Sequence, residues 1–437
     1  MAGSRVLLIS YLLPPAGGVG VQRPLSLLRY LPEAGCPVAA LTARNPVTGV
    51  YDPALLDRMP PNAPVHRAWT FELPHSLRDR MWKKAAGGRR EAAHTSGAPS
   101  RPAGWKSWLL NQAERLAIPD PQKAWRPLAT RKALQLASAG LIDAVIVSAP
   151  PFSSLRIGVE IKRRFPHIKL ISDFRDEWVG FYLAELDPPP SARRVEVSTR
   201  EEREAVEFSD YVVTVTPTMR DSIRNRYPEQ PAAKFLCILN GFDPAAFENF
   251  RSRPLQNGRL NIVYTGTVYA NRQYSPLRWL EPVEELEPEA RGHIHTRLVG
   301  RIEPGVGERL AKLSSSHEEM GFVPQAEALR HMEEADALLL IVGNPTSMAG
   351  KLFEYLATGK PVIALTPPGG EVARLLEETR GGFWADINDP EAVRRLARQL
   401  VEWKGSGMKF SPDRAAIERF SRPALTRELA GKTGLLP

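Results

Sequence analysis

The chain has 437 residues, 43% hydrophobic and 24% charged, which is enough for two or three domains with their own cores and makes a two-domain enzyme the first expectation. Its 58 Lys and Arg outnumber 49 Asp and Glu, and the net charge of +9 implies an anionic partner: a phosphorylated substrate or anionic lipid, with no nucleic acid expected because the compact aromatic and arginine signatures of RNA-binding folds do not occur. No stretch reaches the roughly 20 apolar residues of a membrane span, and two cysteines without metal-ligand spacing, Cys36 and Cys237, fit a reducing, cytoplasmic compartment.

The first apolar run, Arg5 to Ser10, has Arg5 itself as its single leading basic residue and no small-residue cleavage pattern, so it reads as a buried strand and not a signal peptide. It leads into Pro14, Pro15, Ala16, Gly17, Gly18, Val19 and Gly20 before an amphipathic helix from about Gln22. Glycines there let a backbone approach a phosphate or sugar closely, and a tight strand-to-helix turn is the alternative use. Arg23 at the third glycine position argues against a dinucleotide fingerprint, and no Gly-Lys-Ser/Thr follows to make a P-loop. After a second strand, Val38 to Thr42, residues 46–127 are poor in strand signal and read as an insertion with one or two helices. Within it, residues 78–108 mix Arg and Lys with Trp82, Trp105 and Trp108, as either a peripheral contact with the inner face of a membrane or a solvated surface segment.

Further strands are expected at Ala144 to Ser148, Lys169 to Asp173, Tyr211 to Thr216 and Phe235 to Leu239, then at Leu260 to Thr265, His295 to Val299, Ala337 to Val342 and Val362 to Leu365. Continuous apolar strands are buried on both faces, and their alternation with helices indicates parallel sheets. About ten such strands are too many for one sheet, and they divide around a polar, Pro-bearing stretch from Asp243 to Gly258. The expected fold class is therefore α/β, with two doubly wound Rossmann-like domains facing a cleft. The first would cover residues 1–245 and the second 259–405, with a helical segment, 406–437, crossing back to the first.

Two clusters in the first half could line that cleft. Ser148 to Ser154 ends one strand with prolines and hydroxyls. Asp173, Arg175, Asp176 and Trp178 follow another, and charge massed at the end of a buried strand is either employed on a ligand or locked in an Asp/Arg pair that holds the loop. In the first use all four would face a ligand in the cleft. His293 and His295 alternate as strand residues do, and with no third ligand nearby they read as a strand-entry pair and not a metal site.

The most informative segment is GKLFEYLATGKPVIAL, Gly350 to Leu365: a short helix, a Gly stop and a strand opened by Pro361. Lys351 and Glu354 share a helix face, while Leu352, Phe353, Leu356 and Ala357 supply packing. A lysine near a helix N-terminus suits a pyrophosphate, and a carboxylate one turn deeper suits ribose hydroxyls; an ordinary surface Lys/Glu pair is the alternative. Tyr264-Thr265-Gly266-Thr267 and Gly321-Phe322-Val323-Pro324 end strands at the same sheet edge and complete a nucleotide pocket.

ILNGFD (Ile238 to Asp243), GFVP followed by ADALLLI (Ala335 to Ile341), KLFEYLATGKPVIA and the glycine loop at Gly17 and Gly18 together resemble the GT-B glycosyltransferases, specifically the large retaining family often numbered four, over nearly the whole chain. The resemblance implies transfer of a hexose from a UDP- or GDP-sugar bound on the second domain to a glycan, lipid-linked or small-molecule acceptor on the first, without metal or other cofactor, and it puts Asp173, Arg175, Asp176 and Trp178 on the acceptor side. It implies Glu354 on the ribose, Phe322 and Val323 on the base, and Arg272 and Lys351 as the catalytic cations on the leaving pyrophosphate. Gly17, Gly18, Gly266, Thr346, Ser347, Met348, Ala349 and Gly350 complete the donor set. Two departures stand out: Thr346 occupies the place of the first of the family's paired glutamates, and Arg175 stands where a histidine is common. Both places usually touch the donor sugar. A hydrolysing nucleotide-sugar epimerase of the same fold and a non-catalytic nucleotide- or glycan-binding module are the alternatives.

Overall fold

A computed structural model describes residues 3–72, 118–183, 189–271, 273–314 and 317–437. The chain divides into two compact units, Met1–Ile238 with Thr426–Pro437, and Leu239–Leu425.

The first unit is built on seven strands: β1 (Val6–Ser10), β2 (Val38–Ala43), β3 (Val65–Ala68), β4 (Ala144–Ala149), β5 (Lys169–Phe174), β6 (Tyr211–Thr214) and β7 (Phe235–Cys237). All pair in parallel in the order β3-β2-β1-β4-β5-β6-β7. Every residue of β1 and β4 is buried, as expected of VLLIS and AVIVSA with both faces of the sheet covered by helices. The strand order reverses between β1 and β4, so the loops after these strands flank the switch point of a doubly wound sheet.

The second unit carries β8 (Leu260–Thr265), β9 (Ile294–Val299), β10 (His317–Gly321), β11 (Ala337–Ile341), β12 (Val362–Leu365) and β13 (Gly382–Ala385), in the order β10-β9-β8-β11-β12-β13 and again wholly parallel. Its switch point lies between β8 and β11. The α/β class with two parallel, doubly wound sheets is thus what the sequence indicated.

Three edge elements differ from the sequence expectation. β3 lies inside the stretch read as an insertion, while β10 and β13 carry no long apolar run, HEEMG having no buried residue and GFWA only Ala385. Edge strands are covered on fewer sides, which removes the apolar signature. The basic, Trp-bearing segment 78–108 lies outside the described residues, and no helix among those described is long and apolar enough to cross a membrane.

The division between units falls at Leu239 and not at residue 245. The NGFD turn is tied to the second unit: the Phe242 N–H donates to the Phe420 carbonyl at 3.1 Å and the Arg422 N–H to Phe242 at 2.8 Å. A Cβ on Gly241 would lie 2.2 Å from the Phe420 carbonyl oxygen, so this position needs glycine. At the other end, Lys169 Nζ donates to the carbonyls of Thr433 and Gly434, and Ser4 N–H to that of Leu435, anchoring the C-terminus within the first unit.

Candidate active site

The second unit gathers its candidate residues at the carboxyl edge of its sheet. β8 ends at Thr265, and Gly266 turns the chain with φ +141, a conformation L side chains rarely adopt. Past β9, a Cβ on Gly300 would lie 2.0 Å from the Gly266 carbonyl oxygen, so these two loops touch through bare backbone. The helix Gly350–Thr358 abuts the same point. Its inner residues Leu352, Phe353, Tyr355 and Leu356 are buried, and the Tyr355 hydroxyl meets the Thr265 N–H at 3.0 Å and the Thr265 hydroxyl at 2.9 Å. Burial pushes the Tyr355 phenol up to about 12, keeping it a neutral hydrogen-bonding strut.

Lys351, in the first turn of this helix, directs Nζ to the Thr265 carbonyl, with Thr265 Oγ1 at 3.5 Å. Burial pulls its pKa down to about 8, a fall only partly offset by Glu354. Both Lys351 and Glu354 are half-buried. No side chain caps the helix at Ala349, so its leading N–H groups and positive dipole end are open to an anion. The approach to the helix is a tight turn in which Asn344 Oδ1 accepts from both the N–H and the hydroxyl of Thr346 at 2.8 Å, and the Ser347 N–H donates to the Asn344 carbonyl at 3.3 Å. Thr346, Ser347, Met348, Ala349 and Gly350 are all half-buried there.

Phe322, immediately beyond β10, is 80% exposed, whereas Val323 packs against the core. The Gly300 N–H donates to the Gly321 carbonyl at 2.7 Å, linking that loop to the end of β9. Gly266, Phe322, Lys351 and Glu354 therefore all follow the carboxyl ends of parallel strands of one sheet. Arg272 lies outside the described residues. Sequence reasoning missed Tyr355, Asn344 and Gly300 as the parts that hold this edge; only the buried spacing of Tyr355 beside Leu352 and Leu356 hinted at one of them.

The first unit gives its cluster a different character. Asp173 is fully buried, with Arg23 Nε 3.0 Å from each carboxylate oxygen, Arg23 Nη2 at 2.8 Å and the Ser148 hydroxyl at 2.9 Å. Arg23 also donates to the Ile238 carbonyl. Arg175 donates to the carbonyls of Gly20, Pro150 and Ala149, and its burial lowers its pKa. Trp178 is 1% exposed and stacked on Phe152, with centroids 4.7 Å apart and planes 4° apart. Asp173, Arg175 and Trp178 thus hold the strand ends, which is the second of the two uses open to this cluster, and Asp176 alone of the four is exposed. Gly17 is pressed against Val50, where a Cβ would sit 2.8 Å from Cγ1, and Gly18 has φ +90 and an exposed backbone. Packing thus demands the first glycine and conformation the second. Among the described residues no group of three or more His, Cys, Asp or Glu is arranged to hold a metal.

Residues 259–402, which span the sheet bearing Lys351 and Glu354, match the family described as glycosyl transferases group 1. No curated protein matches the chain. Among solved structures it is similar to HepE of Anabaena in complex with UDP and glucose, at 13% identity over 99% of both chains with a TM-score of 0.61. It is also similar to sucrose-phosphate synthase of Thermosynechococcus elongatus, at 15% identity over 98% of both with a TM-score of 0.60. A glycosyltransferase of Rickettsia africae is 14% identical over 100% of this chain and 99% of its own, with a TM-score of 0.62. At these identities the likeness establishes the fold. The class so defined is a protein of GT-B architecture whose second unit is similar to the glycosyl transferases group 1 family over residues 259–402.

Proposed function

We propose that this protein is a retaining glycosyltransferase that moves a hexose from a nucleotide sugar, UDP before GDP, to an acceptor hydroxyl in polysaccharide, glycolipid or secondary-metabolite synthesis. The observation that carries the proposal is the convergence of Lys351, Glu354, Gly266 and exposed Phe322 at the carboxyl edge of the very sheet that matches the family. That HepE was solved with UDP supports the choice of nucleotide.

In this reading Phe322 and the backbone beside Val323 take the base, and Glu354 takes the ribose. The open helix N-terminus from Thr346 to Gly350 receives the diphosphate together with Lys351 and Arg272. The bond from the anomeric carbon to the diphosphate oxygen breaks as the acceptor oxygen bonds to the same face, and the acceptor proton passes to the leaving phosphate. Cations and helix dipole stabilise that leaving charge with no metal required. On the first unit Gly17 and Gly18 offer backbone to a phosphate or sugar, and Asp176 is the exposed member of the acceptor-side cluster. The work is cytoplasmic, consistent with Cys36 and Cys237 forming no disulfide.

Thermal-shift titration with UDP, GDP, TDP and CMP, then their sugars, tests the donor without an acceptor. Stabilisation by UDP or GDP that disappears in Glu354→Ala supports the reading; no response to any nucleotide overturns it. Product analysis by mass spectrometry then separates transfer from hydrolytic release of free nucleotide.

A further inference from the structure

We propose that the carboxyl edge of β1, β2 and β3 in the first unit seats the apolar, phosphate-bearing part of a lipid-linked acceptor. This rests on the glycosyltransfer reading and names its acceptor class.

The loops after these three strands are fastened into one surface. The Arg44 N–H donates to the Ala68 carbonyl at 2.7 Å, while the Asn45 side chain both accepts from the Thr70 N–H and donates to the Thr70 carbonyl, each at 2.9 Å. The chain then returns to the glycine loop, where Gly17 N–H meets the Val50 carbonyl at 3.0 Å and Asp52 N–H meets that of Pro15 at 2.9 Å. A backbone held this firmly nevertheless points large apolar side chains outward. Val19 is 79% exposed, Val50 52%, Tyr51 69%, Trp69 50% and Phe71 78%. Such a concentration costs solubility and is a sign of something that covers it.

Charge identifies the occupant. The Arg44 guanidinium lies 4.7 Å from the centre of the Trp69 ring and has no carboxylate partner among the described residues. The helix Val19–Glu33 starts at Gly18 with no side-chain cap and no acidic residue in its first turn. A cation on an aromatic and an open helix N-terminus beside an apolar face complement an anionic group joined to a hydrocarbon chain. A phosphate next to Gly18 would hold the group that it carries at the glycine loop of the same unit.

The test is calorimetric titration of the full chain with dodecyl phosphate below its micelle concentration. One saturable site is expected. Trp69→Ser with Phe71→Ser should weaken it roughly tenfold or more, and Arg44→Gln about threefold, while Leu141→Ser, an exposed position beside the start of β4, changes nothing. Equal affinity in the double variant, equal binding of dodecanol, or binding only to anionic vesicles with none to the monomer overturns the proposal. UDP is titrated in parallel. A chain that binds UDP but not the amphiphile overturns the acceptor assignment alone, and one that binds neither overturns both. Unchanged UDP affinity in the variants shows that they are folded.

Discussion

The Lys351 ammonium donates to the main-chain carbonyl of Thr265, so the cation proposed for the donor diphosphate is held by the end of β8. Burial brings its pKa to about 8 from an ordinary 10.5. For folding, the cost of burying this charge is fully present below about pH 8 and is relieved as pH rises towards 10.5, because the unfolded chain binds the proton more tightly over that window. For ligand binding the sign is opposite: the charge that attracts a diphosphate is lost above pH 8. UDP affinity measured from pH 7 to 9.5 should therefore fall above about 8, approaching tenfold per unit, and Lys351→Met should flatten the profile. Lys360, also drawn down to about 8 by burial, affects stability in the same direction but is bonded to Ser252 and the carbonyls of Glu333 and Ala335, away from Lys351. Affinity, not melting temperature, is thus the discriminating measurement.

Glu354 and Lys351 should separate kinetically. A carboxylate on ribose hydroxyls acts in the ground state and the transition state alike, so Glu354→Ala should weaken UDP by about 1.5 to 3 kcal/mol, roughly ten- to a hundredfold. Lys351 meets a terminal phosphate charge that is complete in UDP but grows in the sugar nucleotide only as the glycosyl bond breaks, so Lys351→Ala should weaken UDP and, in turnover, chiefly lower kcat and not raise the donor KM, by a similar factor. Near-wild-type kcat and KM in both variants would remove both assignments. Turnover should also persist in EDTA, since no step in this reading passes through a metal.

The acceptor-side cluster shows where sequence reading stops. Apolar runs such as VLLIS, AVIVSA and LNIVYT revealed the central strands because those strands are covered on both faces. The charged run after β5 was equally visible, but whether it serves a ligand or an ion pair depends on Arg23, 150 residues earlier, which pattern alone does not bring beside Asp173. Lys351 and Glu354 were legible because both lie on one short helix whose spacing fixes their common face. Tyr355 and Asn344 position that helix through bonds to Thr265 and Thr346, and such supporting contacts have no sequence period.

Asp173→Ala tests the structural role. It would leave Arg23, with an 11% exposed side chain, without its carboxylate, and breaking a buried pair in this way costs about 3 to 5 kcal/mol. The denaturation midpoint should fall accordingly while UDP affinity in the folded fraction stays the same. Trp178→Ala should also destabilise, by about 3 to 5 kcal/mol, through loss of the stack on Phe152. Full stability with a raised acceptor KM would instead return these residues to the acceptor.

Two glycines of the second unit should fail in different ways when changed to alanine. At Gly300, with φ +150, the new methyl would sit 2.0 Å from the Gly266 carbonyl oxygen, a backbone atom that cannot move without parting the ends of β8 and β9. At Gly266, with φ +141, the first obstacle is the Lys351 ammonium at 2.5 Å, the far end of a flexible side chain. Both substitutions carry the strain of an unfavourable φ, about 1 to 3 kcal/mol. Gly300→Ala should add a collision and lower the melting temperature the more, whereas Gly266→Ala should displace Nζ from Thr265 and act mainly on the cation. UDP affinity lost in Gly266→Ala, with its pH dependence shifted towards that of an ordinary exposed lysine, is the expected result. An unaltered pH profile in that variant would show that Thr265 does not hold Lys351 in place.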